Sequence, residues 1–85
     1  MLYVLDFYFH QSQDDCIKEL IAKRNGMLGE DSIDGFKNSD VPKFKKGTAL
    51  FDNREDLNGF LYNAFHKFGV YFYITRLDEI ETETK

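Results

Sequence analysis

Four consecutive residues, Lys43-Phe44-Lys45-Lys46, carry the clearest chemical signal in this chain of 85 residues. Flexible ammonium groups suit contacts with phosphate, and an aromatic ring among them offers a base a surface to stack on. Pro42 and Gly47 bracket the run, as expected of an exposed loop or edge strand. Residues 36–47 hold Lys37, Lys43, Lys45 and Lys46 against Asp40 alone, whereas 1–35 and 48–85 each hold seven acids, against three and four bases respectively. The tract is thus the one net-positive window in a chain of net charge -4. Lys37, Lys43, Phe44, Lys45 and Lys46 are therefore the candidate RNA-contacting residues. A second reading competes: lysines along a sheet edge prevent it from pairing with another chain, and Phe44 then points inward between them.

A second constellation comes from strand alternation. Leu2–His10 is dense in aromatic and β-branched residues and reads as a strand. Its period of two places Tyr3, Leu5, Phe7 and Phe9 on one face and Leu2, Val4, Asp6, Tyr8 and His10 on the other. In the last strand, 70–77, the same rule places Val70, Phe72 and Ile74 inward, and Tyr71, Tyr73, Thr75 and Leu77 outward. If helices cover the Phe-rich faces, the opposite face displays Tyr8, His10, Tyr71, Tyr73 and Thr75. Tyrosine buries an apolar body while keeping its hydroxyl wet, which suits an interface. Tyr8, His10, Tyr71 and Tyr73 are the candidate interface residues, either for stacked single-stranded bases or for a second copy of the chain. The glycine- and aromatic-rich signature of the common RNA-recognition sheet is absent.

Other chemistries find little to work with. Cys16 near a helix start, with His10 nearby in sequence, could form a nucleophilic pair. Cys16 opens the apolar stripe of its helix, however, and is expected to be a buried small hydrophobe. Two histidines and one cysteine without ligand spacing predict no metal site, and no cofactor motif is present. The segment 30–40, EDSIDGFKNSD, imitates a calcium loop, but aligning Gly35 on the invariant glycine puts Val41 where the bidentate acid belongs. The acids cluster at helix starts, as capping requires. No catalytic residue is assigned, and the chain is expected not to be an enzyme.

Two helices must hold these surfaces. Ser12 is the expected cap of the first, with Cys16, Ile17, Leu20 and Ile21 as its apolar stripe and Asn25-Gly26 as its stop. Asp52 or Asn53 caps the second; with Asn53 as cap, Asp56 falls at its third position, and Leu57, Phe60, Leu61, Ala64, Phe65 and Phe68 form its buried stripe. Gly69 ends it. Between the helices, residues 27–47 are irregular and should contain a short strand or helical turn, because so long a structureless stretch is unusual in a small domain. The order predicts an α+β fold: a small, mainly antiparallel sheet with two helices on one face, ferredoxin-like or a reduced variant. A single domain is expected over 1–79, with a polar tail over 80–85.

With 42% hydrophobic residues, nine Phe and five Tyr, the chain has the material for a packed core. A single cysteine excludes an intramolecular disulfide. No apolar run approaches the ~20 residues that span a bilayer, and the N-terminus lacks a basic leader, so a cytoplasmic protein without membrane partners is expected.

In size, Phe/Tyr content and Lys/Asp/Glu/Asn bias, the whole chain resembles the small accessory proteins of large T-even-type tailed phages. Within that group it is similar in character to an inhibitor of a host toxin endoribonuclease. The resemblance implies a host-protein antagonist, acting in the host cytoplasm through a complex with the toxin and RNA. It transfers no residue by position. A homo-oligomer pairing through the tyrosine face is the alternative.

Overall fold

The computed structural model describes residues 1–29 and 36–81. Among these, the order is β1 (Leu2–His10), α1 (Asp14–Lys23), β2 (Met27–Leu28), β3 (Lys37–Asn38), β4 (Phe44–Phe51), α2 (Arg54–Phe68) and β5 (Phe72–Ile80). Single turns of 3-10 helix, Gln11–Gln13 and Gly69–Tyr71, lead into α1 and β5. Most of the calcium-loop imitation and the last four tail residues lie outside the described residues.

β1 is the spine of the sheet. It pairs antiparallel with β4 from Tyr3↔Phe51 to His10↔Phe44, and on its other side with β5 from Leu2↔Ile80 to Phe9↔Phe72. Two short strands tile the far edge of β4, β2 against Ala49–Leu50 and β3 against Lys45–Lys46. The order β2-β4-β1-β5, with every pairing antiparallel, makes an open α+β sheet compatible with a ferredoxin-like sandwich in reduced form. Both helices bury their stripes on one face. Ile17, Leu20 and Ile21 from α1, and Leu57, Phe60, Ala64 and Phe68 from α2, form one core with Leu5, Phe7, Phe9, Ala49, Phe51 and Phe72. No helix among the described residues is long and apolar enough to cross a membrane.

Local chemistry explains the helix ends. The Asn53 side chain accepts the Asp56 N–H at 2.8 Å and donates back to its carboxylate at 2.9 Å, so of the two caps the sequence offers, α2 uses Asn53. Gly69, at φ 55, stops it. At the end of α1, Asn25 takes φ 58 and the N–H of Gly26 returns to Ile21 at 2.8 Å, a Schellman closure. The start of α1 differs from expectation: His10, not Ser12, caps the 3-10 turn, and the helix proper begins at Asp14. That inserted turn leaves Cys16 exposed rather than buried.

A glycine makes room for two rings in the core. Gly47 stands opposite Phe7, and a Cβ there would lie 2.7 Å from the Phe7 ring and 2.8 Å from Phe36. The gap lets Phe36 seat edge-on against Phe9 at 4.5 Å.

The last strand also departs from simple alternation. A bulge at Thr75 moves the register between Asp6↔Arg76 and Phe7↔Ile74. Leu77 consequently lies opposite Leu5 on the helix side, not the outer side, and the strand continues to Ile80. Ile74 and Val70, expected inside, are 39% and 71% exposed, and Phe65 of the expected α2 stripe is 45% exposed. Val4 is the converse, buried although it lies on the outer face between Leu50 and Asp78.

Phe60 is fully buried among Phe7, Phe51 and Phe72, with ring centroids 5.4–5.9 Å away. Phe60→Ala should cost about 3–5 kcal/mol. That is a large share of the roughly 5–15 kcal/mol that holds a domain folded. Thermal denaturation followed by circular dichroism should show a collapsed melting temperature; an unshifted curve would mean that this face of α2 is not the core face.

Candidate nucleic-acid interface

The register arranges the open face of the sheet in rows. Lys37 lies opposite Lys46, Lys46 opposite Tyr8, and Tyr8 opposite Tyr73, so four strands contribute to one row. In the next row Phe44 stands opposite His10. The rings form a connected ribbon: Tyr71 to His10 at 5.6 Å, His10 to Phe44 at 5.5 Å and Phe44 to Tyr73 at 5.9 Å. Lys46 Nζ lies 6.0 Å from the Tyr8 ring centroid. Tyr71 and Tyr73 remain about half exposed, at 53% and 51%. On the other side of this ribbon the face turns ionic. Asp6 accepts from the Thr48 hydroxyl at 2.7 Å and from Arg76 Nε at 2.8 Å, and Arg76 also meets Asp78 at 3.0 Å.

A shallow depression of about 370 Å³ opens in the ribbon, lined by Tyr8, Val41, Phe44, Tyr73 and Thr75. Its rim is held by the turn before β4. The Ser39 side chain bonds the Phe44 carbonyl at 2.8 Å and accepts the Val41 N–H at 3.1 Å. Lys43 takes φ 67 at the turn, and its carbonyl accepts the Gln11 N–H at 2.8 Å, tying the turn to the end of β1. His10 is fixed from the same side. Its Nδ1 accepts the Ser12 N–H at 3.2 Å and lies 2.8 Å from the Ser12 hydroxyl. A backbone N–H can only donate, so Nδ1 is an acceptor and the neutral ring carries its hydrogen on Nε2.

The structure brings Tyr8, His10, Tyr71 and Tyr73 together, adds Phe44 to them, and divides the lysines. Neighbouring side chains on a strand point to opposite faces. Lys46 therefore shares the open face with Phe44. Lys45, opposite Phe9, goes to the helix side, where its ammonium lies 2.7 Å from Asp14 Oδ2. Both side chains of that pair are only 24% exposed. The other Asp14 oxygen is buried without a hydrogen bond, with Lys18 Nζ at 3.6 Å. Lys45 is thus a structural cation and not part of one continuous basic patch, which is a correction to the sequence reading. Lys37, Lys43 and Lys46 are exposed.

Phe44 does not point inward between outward lysines. Val41, absent from the sequence-based candidates, joins the depression because the Ser39 turn folds it over the sheet. No periodicity marks it, since it precedes the strand. The imagined Cys16/His10 pair is not formed: the hydrogen bonds of His10 go to Ser12. Among the described residues no three potential metal ligands converge.

No protein-family model matches the chain, and no curated protein matches it either.

Lys45→Ala should destabilise the fold by about 1–3 kcal/mol in chemical denaturation, because it strands a partly buried carboxylate. Lys46→Ala, on the exposed face, should stay within about 0.5 kcal/mol of the parent. The reverse ranking would place Lys45 outside the core-side pair. Cys16 should react with a thiol reagent in the native protein at the rate of an unfolded control; protection until denaturation would contradict its exposure.

Proposed function

We propose that this protein is a non-enzymatic binding protein that takes single-stranded RNA on the open face of its sheet, and that it uses this to antagonise a host toxin endoribonuclease. The observation that carries the RNA reading is the connected ribbon Tyr71–His10–Phe44–Tyr73, with Tyr8 beneath Lys46. Half-exposed rings give bases a stacking platform that is indifferent to sequence. Lys43 and Lys46 lie at the same end and offer flexible cations to the backbone. The acids of this face lie beyond the ribbon, where Asp6 and Asp78 share the single cation Arg76. The antagonist half of the reading is supported by the resemblance to small phage accessory proteins. A homo-oligomer seated on the same tyrosines is the competing reading.

Fluorescence anisotropy with a labelled oligouridine tests the RNA half. Phe44→Ala and Tyr73→Ala should each weaken binding by about 1–3 kcal/mol. The double change Lys43→Ala, Lys46→Ala should flatten the log–log salt dependence by about 0.7 for each lost phosphate contact. Unchanged affinity in all of these variants would remove RNA from this face. In a toxin assay, the parent should inhibit RNA cleavage and Phe44→Ala should not; equal inhibition by both would separate antagonism from the aromatic ribbon.

A further inference from the structure

The two edges of the sheet are unlike. One is made of β2 and β3, two residues each, with Lys37 beside Lys46. Short strands and lysines are how proteins blunt an edge. The other edge is β5, nine residues long, paired only with β1 among the described strands, with neither lysine nor proline in it. Ile74, Leu77 and Ile80 on this strand are 39%, 46% and 47% exposed. α2 runs beside it in the opposite direction: Arg54 reaches Glu79 at 3.4 Å at one end, and Phe65 meets Phe72 edge-on at 5.2 Å at the other. Phe65 and Leu77, both on the helix side and both about half exposed, therefore lie along the seam between α2 and the open edge.

We infer that β5 pairs with β5 of a second copy, antiparallel, around a two-fold axis at Leu77. Charge selects both the occupant and the register. Beyond the bulge, the regular part of the edge is Arg76–Ile80. In an antiparallel self-pairing, residues equidistant from the axis face each other, and like charges directly opposite are unfavourable. An axis at Arg76, Asp78 or Glu79 sets a charge against itself, and one at Ile80 sets Glu79 against Glu81. An axis at Leu77 sets Leu77 against Leu77 and each Arg76 against the Asp78 of the other copy. It is the only register in this stretch that opposes unlike charges and buries the exposed leucine. The N-terminal turns of the two α2 helices, which lie beside Leu77, then meet over the junction and cover it. The sheets join into one, with both aromatic faces on the same side. Tyr73 of β5 belongs to the aromatic ribbon, but the axis lies at Leu77 on the helix side of the strand, so the pairing stands independently of the RNA reading.

Sedimentation of the full chain over a wide concentration range tests the pairing, with circular dichroism confirming that each variant is folded. The parent should be a dimer, Leu77→Lys a monomer, and Tyr73→Ala a dimer still. A disulfide then locates the axis. In a Cys16→Ala background, Leu77→Cys should crosslink to its own copy under mild oxidation, because residues facing across an axis have Cα atoms within disulfide range. Thr75→Cys should not, because its two copies stand about 13 Å apart along the strands. A monomeric parent, a dimer that survives Leu77→Lys, or equal crosslinking through Thr75→Cys would each overturn the proposal.

Discussion

Everything on the open face depends on the register of β1 against its two neighbours. β1 is paired along nearly its whole length on both sides. Its alternation decides which rings are core and which are surface: Phe7 and Phe9 inward, Tyr8 and His10 outward. A slip of one residue would exchange the two sets. The lock is steric. A Cβ at Gly47 would lie 2.7 Å from the Phe7 ring and 2.8 Å from Phe36, so a slip that set a bulkier residue of β4 opposite Phe7 would crowd both rings. With that pair set, Tyr8 must face Lys46 and His10 must face Phe44, and the aromatic ribbon follows.

The same pleat sorts the charges. A run of adjacent lysines looks like one patch in sequence, but a strand assigns its members to different tasks. Lys45 holds Asp14 and so fixes the start of α1 against the sheet. Lys46 remains on the ring of Tyr8. Arg76 is likewise committed between Asp6 and Asp78. Positive charge available to a ligand is thus concentrated at the turn end of β4, beside the depression that Val41 and Phe44 border.

Much of this could be read from the chain because its periodic signals are strong. The faces of β1, the Gly69 stop and the buried positions Leu57, Phe60, Ala64 and Phe68 all follow from spacing alone, which also narrows the cap of α2 to Asp52 or Asn53. Two misreadings, at Cys16 and Leu77, share one cause, an irregularity that shifts phase without an obvious sequence mark. The 3-10 turn at Gln11–Gln13 rotates α1 so that Cys16 faces solvent. The bulge at Thr75 returns Leu77 to the helix side. The placement of Lys45 was recoverable: it shares parity with Gly47, Ala49 and Phe51, whose small or apolar side chains mark the inward face. Val41 was not, because its position is set by the hydroxyl of Ser39 and not by any repeat.

RNA bound as proposed lies on the open face of the sheet, not on the helix face or at a helix end. Side-chain NMR during titration with a short oligouridine measures this directly, since each ring reports its own environment. With RNA on the open face, resonances of Tyr8, Phe44, Lys46 and Tyr73 should shift together and saturate together, while Ile17, Leu20 and Leu57 on the covered side stay still. Shifts confined to the helices, or none at all at saturating RNA, would contradict it.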